Sequence, residues 1–324
     1  MPTRRQVLSR AAAAAGAAVA PTLRAQGRQT PRLIVGSSPG GPADLQGRAL
    51  SDAMRRAGGA LTVVENRPGA AGRLAVQALR QAPADAVTVL LAPGWQLSLT
   101  PLTDPHTTFD PVAELQAVGG FCEQEIAFVV GPLSRARTLA EFVTAVRASG
   151  RAELCASGGI GSLGHLVAAM FERSAGIELQ PVPYRGAAPA LQDLQAGHVA
   201  SYAGGLGDIV RLHREGALRV LATSGTNRSI FLPDVPTFKE AGHPDVVAVD
   251  WTAVFAHRSM PAAPLAELTR LLKAALNDRP LLATLERLGV EAKYIDPASV
   301  TRRLRSDIET MGAHVRTYKL LARP

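Results

Sequence analysis

Two glycine-rich turns are the segments of this sequence best suited to bind an anion. The first turn is Ser37-Ser38-Pro39-Gly40-Gly41-Pro42-Ala43-Asp44, and the second is Ala156-Ser157-Gly158-Gly159-Ile160-Gly161-Ser162. Glycine lets the backbone approach a ligand closely, and the helix predicted after each turn offers unpaired N–H groups and a partial positive charge. Either turn alone is also compatible with a tight connection in which Asp44 or Ser162 caps the helix. The presence of two such turns favours one anionic ligand shared between them.

The second turn also contains a dinucleotide-binding signature. Gly159-Ile160-Gly161-Ser162-Leu163-Gly164 matches G-x-G-x-x-G between a predicted strand and a predicted helix, and Glu178 follows 19 residues after Gly159. However, Glu178 precedes the next predicted strand, whereas the acid that binds the ribose should close that strand. An exported dinucleotide-binding oxidoreductase that uses the Gly159–Gly164 turn is therefore the alternative function.

Other catalytic and metal-binding signatures are absent from the sequence. It contains no G-x-S-x-G, G-x-x-x-x-G-K-[ST], H-E-x-x-H or C-x-x-C motif, and its seven histidines show no ligand spacing. His165 stands beside the second turn, where we expect a capping or packing role. We therefore expect no catalytic residue, no metal and no cofactor.

The composition is that of a globular protein. Apolar residues make up 47% and charged residues 19% of the 324 residues, and roughly 100–200 residues per domain suggest about two domains. No long, strongly apolar stretch of the kind that spans a membrane occurs. The formal net charge of +8 falls to +4 without the four arginines of residues 1–25, and the other basic residues are scattered. We therefore expect no nucleic-acid partner.

Residues 1–25 have the features of an export signal. A twin arginine, Arg4-Arg5, precedes an alanine-rich stretch at 11–20 and a small-residue site at Leu23-Arg24-Ala25. The signal predicts export by the Tat route, a mature chain that begins near Gln26, and a periplasmic location; a short amphipathic helix is the alternative. In that oxidising compartment the two cysteines, Cys122 and Cys155, either pair or remain buried free thiols.

Strand-like and helical segments alternate through the rest of the chain. The first series predicts strands at 32–35, 61–64 and 87–91 and helices at 44–57 and 72–80. The second predicts helices at 139–148, 162–173 and 188–195 and strands at 152–156, 179–182, 198–203 and 218–222. The chain from residue 261 onward is predicted to be mostly helical. This order predicts an α/β fold with helices on the faces of the sheets.

Two extended apolar segments, 126–130 and 246–255, are predicted to cross between two lobes. Lobe 1 would comprise residues 26–128 and 250–324, and lobe 2 residues 129–249. Each lobe is expected to be a mixed sheet flanked by helices. A cleft between such lobes is a preferred ligand site.

Four segments resemble the Bug-type periplasmic receptors of tripartite tricarboxylate transporters. They are Arg32-Leu-Ile-Val35 with Pro39-Gly40-Gly41 and Asp44, Val63-Val-Glu-Asn-Arg-Pro-Gly69, Val182-Pro-Tyr-Arg-Gly-Ala-Ala-Pro-Ala-Leu-Gln-Asp-Leu194, and Leu232-Pro-Asp-Val-Pro-Thr237 with Glu240-Ala-Gly242. The resemblance covers residues 31–318. It implies a two-lobed, periplasmic-binding-protein-like (Venus flytrap) fold without catalysis. It also implies a monomeric solute-binding protein that captures a small organic acid through backbone N–H groups and waters, for delivery to an inner-membrane permease.

The resemblance also implies a set of ligand contacts in each lobe. In the first lobe they are Ser37, Ser38, Gly40, Gly41, Ala43, Asp44, Gly94 and Trp95. In the second lobe they are Ser157, Gly158, Gly159, Gly161, Ser162, Leu163, Tyr184, Arg185, Gly186, Ala187, Ala203 and Gly204.

Several of these positions depart from the family pattern. Pro42 and Ala43 replace Gly and Thr, Leu163 and Gly164 replace a Thr-Ser pair, and Ala203 stands where many members have Asp. The lost polar groups predict a less polar acid than an amino acid or citrate, such as an aromatic or branched monocarboxylate. Trp95 would supply either an apolar wall or a core contact, and Arg185 either a ligand contact or a structural salt bridge.

Overall fold

The computed structural model describes residues 30–69, 72–83, 87–103, 107–184 and 186–318. The predicted export signal and the candidate contact Arg185 lie outside these described residues. Across the described ranges, no helix combines the length and the apolar character needed to cross a membrane.

Strands and helices alternate along the described chain, as the sequence predicts. The strands are β1 (Arg32–Val35), β2 (Val63–Asn66), β3 (Thr88–Pro93), β4 (Leu115–Val130), β5 (Glu153–Ser157), β6 (Leu179–Pro183), β7 (Ser201–Gly205), β8 (Arg219–Thr223), β9 (Val249–His257) and β10 (Glu291–Ile295). The helices are α1 (Pro42–Arg56), α2 (Arg73–Arg80), α3 (Gly94–Ser98), α4 (Thr100–Thr103), α5 (Pro111–Glu114), α6 (Leu139–Ser149), α7 (Leu163–Ala175), α8 (Ala187–Ala196), α9 (Leu206–Arg214), α10 (Ala262–Ala275), α11 (Arg279–Arg287) and α12 (Pro297–Tyr318).

The strands form two mixed sheets that share one member. In the first sheet β1 is parallel to β2 and β3, while β9 pairs antiparallel with both β3 and β4, and β10 pairs antiparallel with β4. In the second sheet β7 and β8 pair antiparallel with β4, and β5 is parallel to β6 and β7. We call each sheet, with the helices that pack on it, the first and the second lobe. The residue boundaries of the lobes remain a prediction.

β4 is the strand that belongs to both sheets. Its residues 115–125 pair with β9, and its residues 126–130 pair with β7 and β8. The predicted crossing segment 126–130 is therefore the second-sheet part of a longer strand. The other predicted crossing, 246–255, leads into β9, and the N–H of Ala248 donates to the carbonyl of Ser224 just after β8.

Alternate residues of a strand point to opposite faces of its sheet. Apolar residues lie on both faces of each sheet, and helices pack on both. On the first sheet, Leu33 and Val35 join one apolar cluster with α1, α10 and α11, while Ile34 joins another with α2, α3 and α12. On the second sheet, Phe128 packs with α6 and α7, and Val129 packs with α8 and α9. The predicted α/β architecture with helices on both faces is confirmed.

The end of the chain contains one element that the sequence pattern does not reveal. The segment after residue 261 is mostly helical as predicted, but β10 interrupts it and pairs with β4.

Cys122 in β4 and Cys155 in β5 are both buried free thiols. Of the two alternatives, a disulfide or buried free thiols, the second is therefore the one observed. Burial raises the pKa of Cys155 to about 12.

Candidate functional site

The turns of the first lobe lie at the edge where β4 passes into the second sheet. β1 and β3 are parallel, so their carboxyl ends share one edge of the first sheet. At that edge Pro93 of β3 pairs with Thr252 of β9, and the adjacent Trp251 pairs with Glu123 of β4. Glu123 is close to the point where β4 leaves the first sheet. The turn at 37–44, which follows β1, therefore opens toward the second lobe.

The turns of the second lobe lie at the matching edge of the second sheet. Gly205, at the carboxyl end of β7, pairs with Ile126, the first residue of β4 in this sheet. β5 is parallel to β7 and to β6, so the carboxyl ends of all three strands reach the same edge. The turns that follow β5, β6 and β7 begin there. The two sets of turns thus lie on either side of the passage of β4.

A buried carboxylate holds the first turn in shape. Asp44 is only 2% exposed, and its Oδ2 accepts the N–H of Gly40 at 2.9 Å and Nε of Arg48 at 3.0 Å. Asn66 Nδ2 donates to Asp44 Oδ1 at 2.9 Å and to the carbonyl of Ser37 at 3.0 Å. Burial alone would raise the pKa of Asp44, but these hydrogen bonds outweigh it and lower the pKa. The Asp44 carboxylate is therefore engaged within the turn.

The alternative in which Asp44 caps α1 is wrong. The N-cap is Gly41, which has no side chain to accept a hydrogen bond, and Pro42 occupies the first helical position. Asp44 lies within the first turn of the helix, where its carboxylate reaches back to Gly40. The cause is Pro42, whose fixed φ suits the first helical position and starts the helix earlier than predicted.

The second turn is held by Ser162 and His165. Ser162 is the N-cap of α7, as predicted, and its Oγ accepts the N–H of His165 at 3.2 Å. The ring of His165 in turn accepts the N–H of Gly161 on Nδ1 at 3.2 Å. Ser157 Oγ donates to the carbonyl of Gly159 at 3.3 Å. His165 thus has a structural contact in the turn that goes beyond capping and that the sequence analysis did not identify.

The first turn of each of these two helices leaves a pair of backbone N–H groups without an acceptor among the described residues. The pairs belong to Ala43 and Asp44 in α1 and to Leu163 and Gly164 in α7. Unpaired N–H groups at the positive end of a helix dipole attract anions. We call the turn and helix start at 37–44 the first mouth and those at 157–164 the second mouth.

Residues of the first lobe pack on the apolar core of the second lobe beside the second mouth. Leu99 is buried in the cluster that includes α7, and Trp95 and Leu102 pack against the same cluster from partly buried positions. Trp95 therefore has a packing role at this cluster, which contains residues of both lobes. Gly161 also approaches the first lobe, because a Cβ on it would lie 2.5 Å from Oγ1 of Thr103 in α4.

The turn after β6 is tied to the second lobe through Tyr184. Its N–H donates to the carbonyl of Ser157 at 3.0 Å, and its hydroxyl donates to Asp193 Oδ2 at 2.6 Å. The hydrogen bond to Asp193 raises the pKa of Tyr184 to about 12. The phenol is thus engaged within the lobe. Gly186 is the N-cap of α8, with a φ of 102° that favours glycine, and Ala187 is its first helical residue.

The predicted contacts differ in how much of their surface solvent reaches. The exposed or half-buried ones are Ser37, Ser38, Gly40, Gly41, Ala43, Trp95, Gly158, Gly159, Ser162, Tyr184, Gly186 and Ala187. The buried ones are Asp44, Gly94, Ser157, Gly161, Leu163, Ala203 and Gly204. Apart from the free N–H groups of Asp44 and Leu163, the buried set supports the turns from behind. For example, the carbonyl of Ala203 faces Gly164 so closely that a Cβ there would clash.

The geometry around Glu178 disagrees with the dinucleotide-binding signature. Glu178 immediately precedes β6, and its carbonyl accepts the N–H of Glu153 at the amino end of β5. The Gly159–Gly164 turn follows the carboxyl end of β5, about five residues or ~16 Å along the sheet. Glu178 therefore lies at the opposite edge of the sheet from the turn and is not placed to bind a ribose there.

Comparisons with known proteins agree with this geometry. The family described as "Tripartite tricarboxylate transporter family receptor" matches residues 47–320. BugT of Bordetella pertussis is 28% identical over 290 residues, which cover 88% of each chain. The structure of Rpa4515 of R. palustris with adipate has a TM-score of 0.83 at 25% identity, covering 90% of this chain and 97% of that one. MatC (Rpa3494) of Rhodopseudomonas palustris with bound malate has a TM-score of 0.80 at 25% identity, covering 88% and 98%.

The fold is that of the two-lobed periplasmic binding proteins, which confirms the predicted fold class. Within that class, the chain belongs to the family of tripartite tricarboxylate transporter receptors. The Bug-type resemblance is confirmed by these matches. The family is one of solute receptors and not of enzymes, so the expectation of a non-catalytic protein is confirmed and the oxidoreductase alternative is set aside.

Proposed function

We propose that this protein is an extracytoplasmic receptor that captures a small organic acid between its lobes and delivers it to an inner-membrane permease. The observation that carries the proposal is the pair of mouths, each with two unpaired N–H groups, on either side of the passage of β4. The structures of relatives with malate and with adipate support a carboxylate as the ligand.

The strength of such a site comes from several donors acting together. One helix N-terminus contributes only ~0.3–2 kcal/mol to anion binding, whereas micromolar affinity requires about −8 kcal/mol. Charge-assisted hydrogen bonds contribute ~1.5–3 kcal/mol each, so four N–H donors from the two mouths reach this range once solvent is excluded. Closure of the lobes around the acid is therefore part of the proposed function.

We propose that the predicted contact residues form the ligand site and that they have different roles in it. The exposed and half-buried residues contact the acid, the free N–H groups of buried Asp44, Leu163 and Gly164 also donate to it, and the Asp44 carboxylate supports the turn. Arg185 lies outside the described residues, and its contact with a carboxylate remains a sequence-based proposal. Ala43, Leu163 and Ala203 bring no side-chain donor or acceptor to the mouths. We therefore propose an acid with a less polar body than citrate or aspartate, such as an aromatic or branched monocarboxylate.

A thermal-shift panel with native mass spectrometry tests the ligand class. The panel contains malate, adipate, citrate, aspartate, phenylacetate and 3-methylbutanoate, and mass spectrometry examines freshly purified protein for a retained acid. A ligand present at 100 times its Kd stabilises the folded state by about 2.7 kcal/mol, which a melting curve resolves. We expect the apolar acids to give the larger shifts. Strong stabilisation by citrate or aspartate alone contradicts the proposed ligand, and no shift with any acid contradicts the function.

The role of the free N–H groups is tested by a matched pair of variants at Leu163. Proline is tolerated at the first helical position, and Ser162 has the extended backbone that a following proline requires. Leu163→Pro therefore removes one free N–H, whereas Leu163→Ala removes only the buried side chain. Loss of one charge-assisted bond of ~1.5–3 kcal/mol predicts about 10- to 150-fold weaker binding in the proline variant than in the alanine variant. Equal affinities would contradict the assignment.

We also propose Tat-dependent export, a periplasmic location and a monomeric state. Mass spectrometry of the protein recovered from the periplasm should show an N-terminus near Gln26, and an intact Met1 there would refute cleavage. Light scattering of the purified protein should give the mass of one chain.

A further inference from the structure

The same backbone arrangement precedes the helix of each mouth. Gly40 and Gly161 each immediately precede an N-cap and have φ values of 80° and 72°, which favour glycine. Each donates its N–H to the side chain four residues later, on the first turn of the helix. In the first mouth the acceptor is Asp44 Oδ2 at 2.9 Å, and in the second it is His165 Nδ1 at 3.2 Å.

These hydrogen bonds determine which N–H groups remain available to a ligand. The N–H of the glycine is consumed within the turn, while the free N–H groups lie on the helical residues directly behind it. The acceptor side chains are 2% exposed at Asp44 and 9% exposed at His165, so solvent does not replace them readily. Without the acceptor, the glycine N–H would be unpaired and the turn would lose the contact that fixes its left-handed residue.

The two acceptors differ in one chemical respect. Asp44 accepts as a carboxylate whose charge is balanced by Arg48. Nη2 of Arg48 lies 3.0 Å from Oδ1 of Asp44. His165 accepts through Nδ1, which requires the neutral ring with its proton on Nε2. Burial lowers the pKa of His165 and so favours that neutral form. The second mouth therefore depends on the protonation state of its acceptor, and the first does not over the range in which histidine titrates.

Burial is the one cause that shifts the pKa of His165, so no charge among the described residues around the ring favours its protonated form. The small cavity beside it has two titratable lining groups besides His165 itself, which are Cys155 on β5 and Glu172 on α7. Burial raises the pKa of both. Thr103 of α4, which lies close to Gly161, and the backbone of Ala203 in β7, which lies close to Gly164, carry no charge. A proton on Nδ1 would point at the N–H of Gly161 and displace it.

We infer that His165 is a positioning residue of the second mouth, equivalent to Asp44 in the first, and that it acts as a neutral hydrogen-bond acceptor which shapes the turn without touching the ligand. This inference rests on the proposed function. It predicts that acid binding weakens as His165 is protonated.

Two substitutions separate the acceptor from the rest of the side chain. The side-chain oxygen of asparagine occupies roughly the position of Nδ1, so His165→Asn keeps an acceptor for Gly161 and removes the titration. The amide of glutamine extends to roughly the position of Nε2, so His165→Gln loses the acceptor. His257→Asn, in β9 outside the mouths, is the matched control.

Affinity is measured by calorimetry between pH 5 and pH 8 with the panel acid that gives the largest thermal shift. We expect His165→Gln to weaken binding at pH 7.5 at least tenfold, and His165→Asn to stay within threefold of the unmodified protein. The unmodified protein and His257→Asn should lose affinity toward pH 5 more steeply than His165→Asn. Equal affinities of both His165 variants, or parallel pH profiles, would overturn the inference.

A second measurement does not depend on any ligand. Nitrogen-15 NMR should show His165 with its proton on Nε2 at pH 7.5, and the Gly161 amide should exchange with solvent more slowly than the amide of Gly158. A proton on Nδ1, or a fast-exchanging Gly161, would refute the arrangement even if the protein bound an acid. Conversely, a protected Gly161 in a protein that binds no acid would refute the proposed function and retain the hydrogen bond.

Discussion

Gly161→Ala should weaken acid binding because it obstructs the approach of the lobes. A Cβ at this position would lie 2.5 Å from Thr103 Oγ1 and 3.0 Å from its Cβ. Two costs follow. A non-glycine residue at φ 72° is strained by about 1–2 kcal/mol with or without ligand, which lowers the free energy of unfolding. Under the proposed closure of the lobes around the acid, the contact with Thr103 penalises the closed, liganded state, so it lowers the affinity.

The second cost is that of overpacking, about 1–3 kcal/mol, and it predicts a Kd about 5- to 150-fold higher. Calorimetric titration measures the affinity, and urea unfolding measures the stability. Gly176→Ala is the matched control, because Gly176 has a φ of 58° at the end of α7 and its nearest other atom, in Arg147, would be 3.8 Å away. It should lower the stability without changing the Kd.

A second variant tests the source of the clash. Thr103→Ala in the Gly161→Ala background removes Oγ1 and Cγ2 but keeps the Cβ of residue 103, so it should recover part of the lost affinity and none of the strain. If Gly161→Ala bound the acid as tightly as Gly176→Ala, the claim that Gly161 and α4 approach each other in the liganded state would be refuted.

Three further predictions concern groups beneath the mouths. Trp251→Phe removes the 2.7 Å hydrogen bond from the indole to Asp307 Oδ2 and should lower the free energy of unfolding by ~1–3 kcal/mol; an unchanged urea midpoint would contradict this. Burial raises the pKa of Asp250 from its ordinary value of 3.8 to about 7, so the folded state favours the protonated carboxyl group. The free energy of unfolding that this group contributes is therefore fully present below pH 3.8 and declines as the pH rises toward 7. Asp250→Asn, which keeps an amide beside Gln124, should remove that part of the pH dependence in unfolding experiments from pH 4 to 8. Because Cys155 is buried and its pKa is about 12, it should react with iodoacetamide at pH 8 only after unfolding, and rapid labelling of the folded protein would show that β5 is accessible.

Much of the secondary structure of the first lobe is predictable because short apolar runs alternate with amphipathic helices. β1, α1 and β3 all begin and end within two residues of the predicted bounds. β4 is not predictable in the same way, because Gly119-Gly120 and two acidic residues interrupt its apolar pattern and lower its strand propensity. The close approach of β10 favours glycine here, since a Cβ on Gly120 would lie 3.0 Å from the Cβ of Ile295. That requirement comes from the tertiary structure.

The sequence predicts where the backbone N–H groups of the mouths lie. It does not predict which side chains hold the turns in shape. Strand-to-helix turns rich in glycine indicate where free N–H groups occur, and Ser162 caps α7 as its residue type predicts. The hydrogen bonds of Asp44 and His165 depend on left-handed glycines and on burial, neither of which a residue pattern specifies. The one signal in the sequence is the shared spacing of a glycine four residues before the acceptor in both turns.

The continuity of β4 has a consequence for how this architecture can evolve. Residues 115–125 and 126–130 are consecutive parts of one strand, yet each completes a different sheet. A recombination event that exchanged the second lobe for that of a relative would have to cut this strand in the middle and restore its register on both sides. Such proteins should therefore diversify by substitutions in their turns, and the halves should be inherited together.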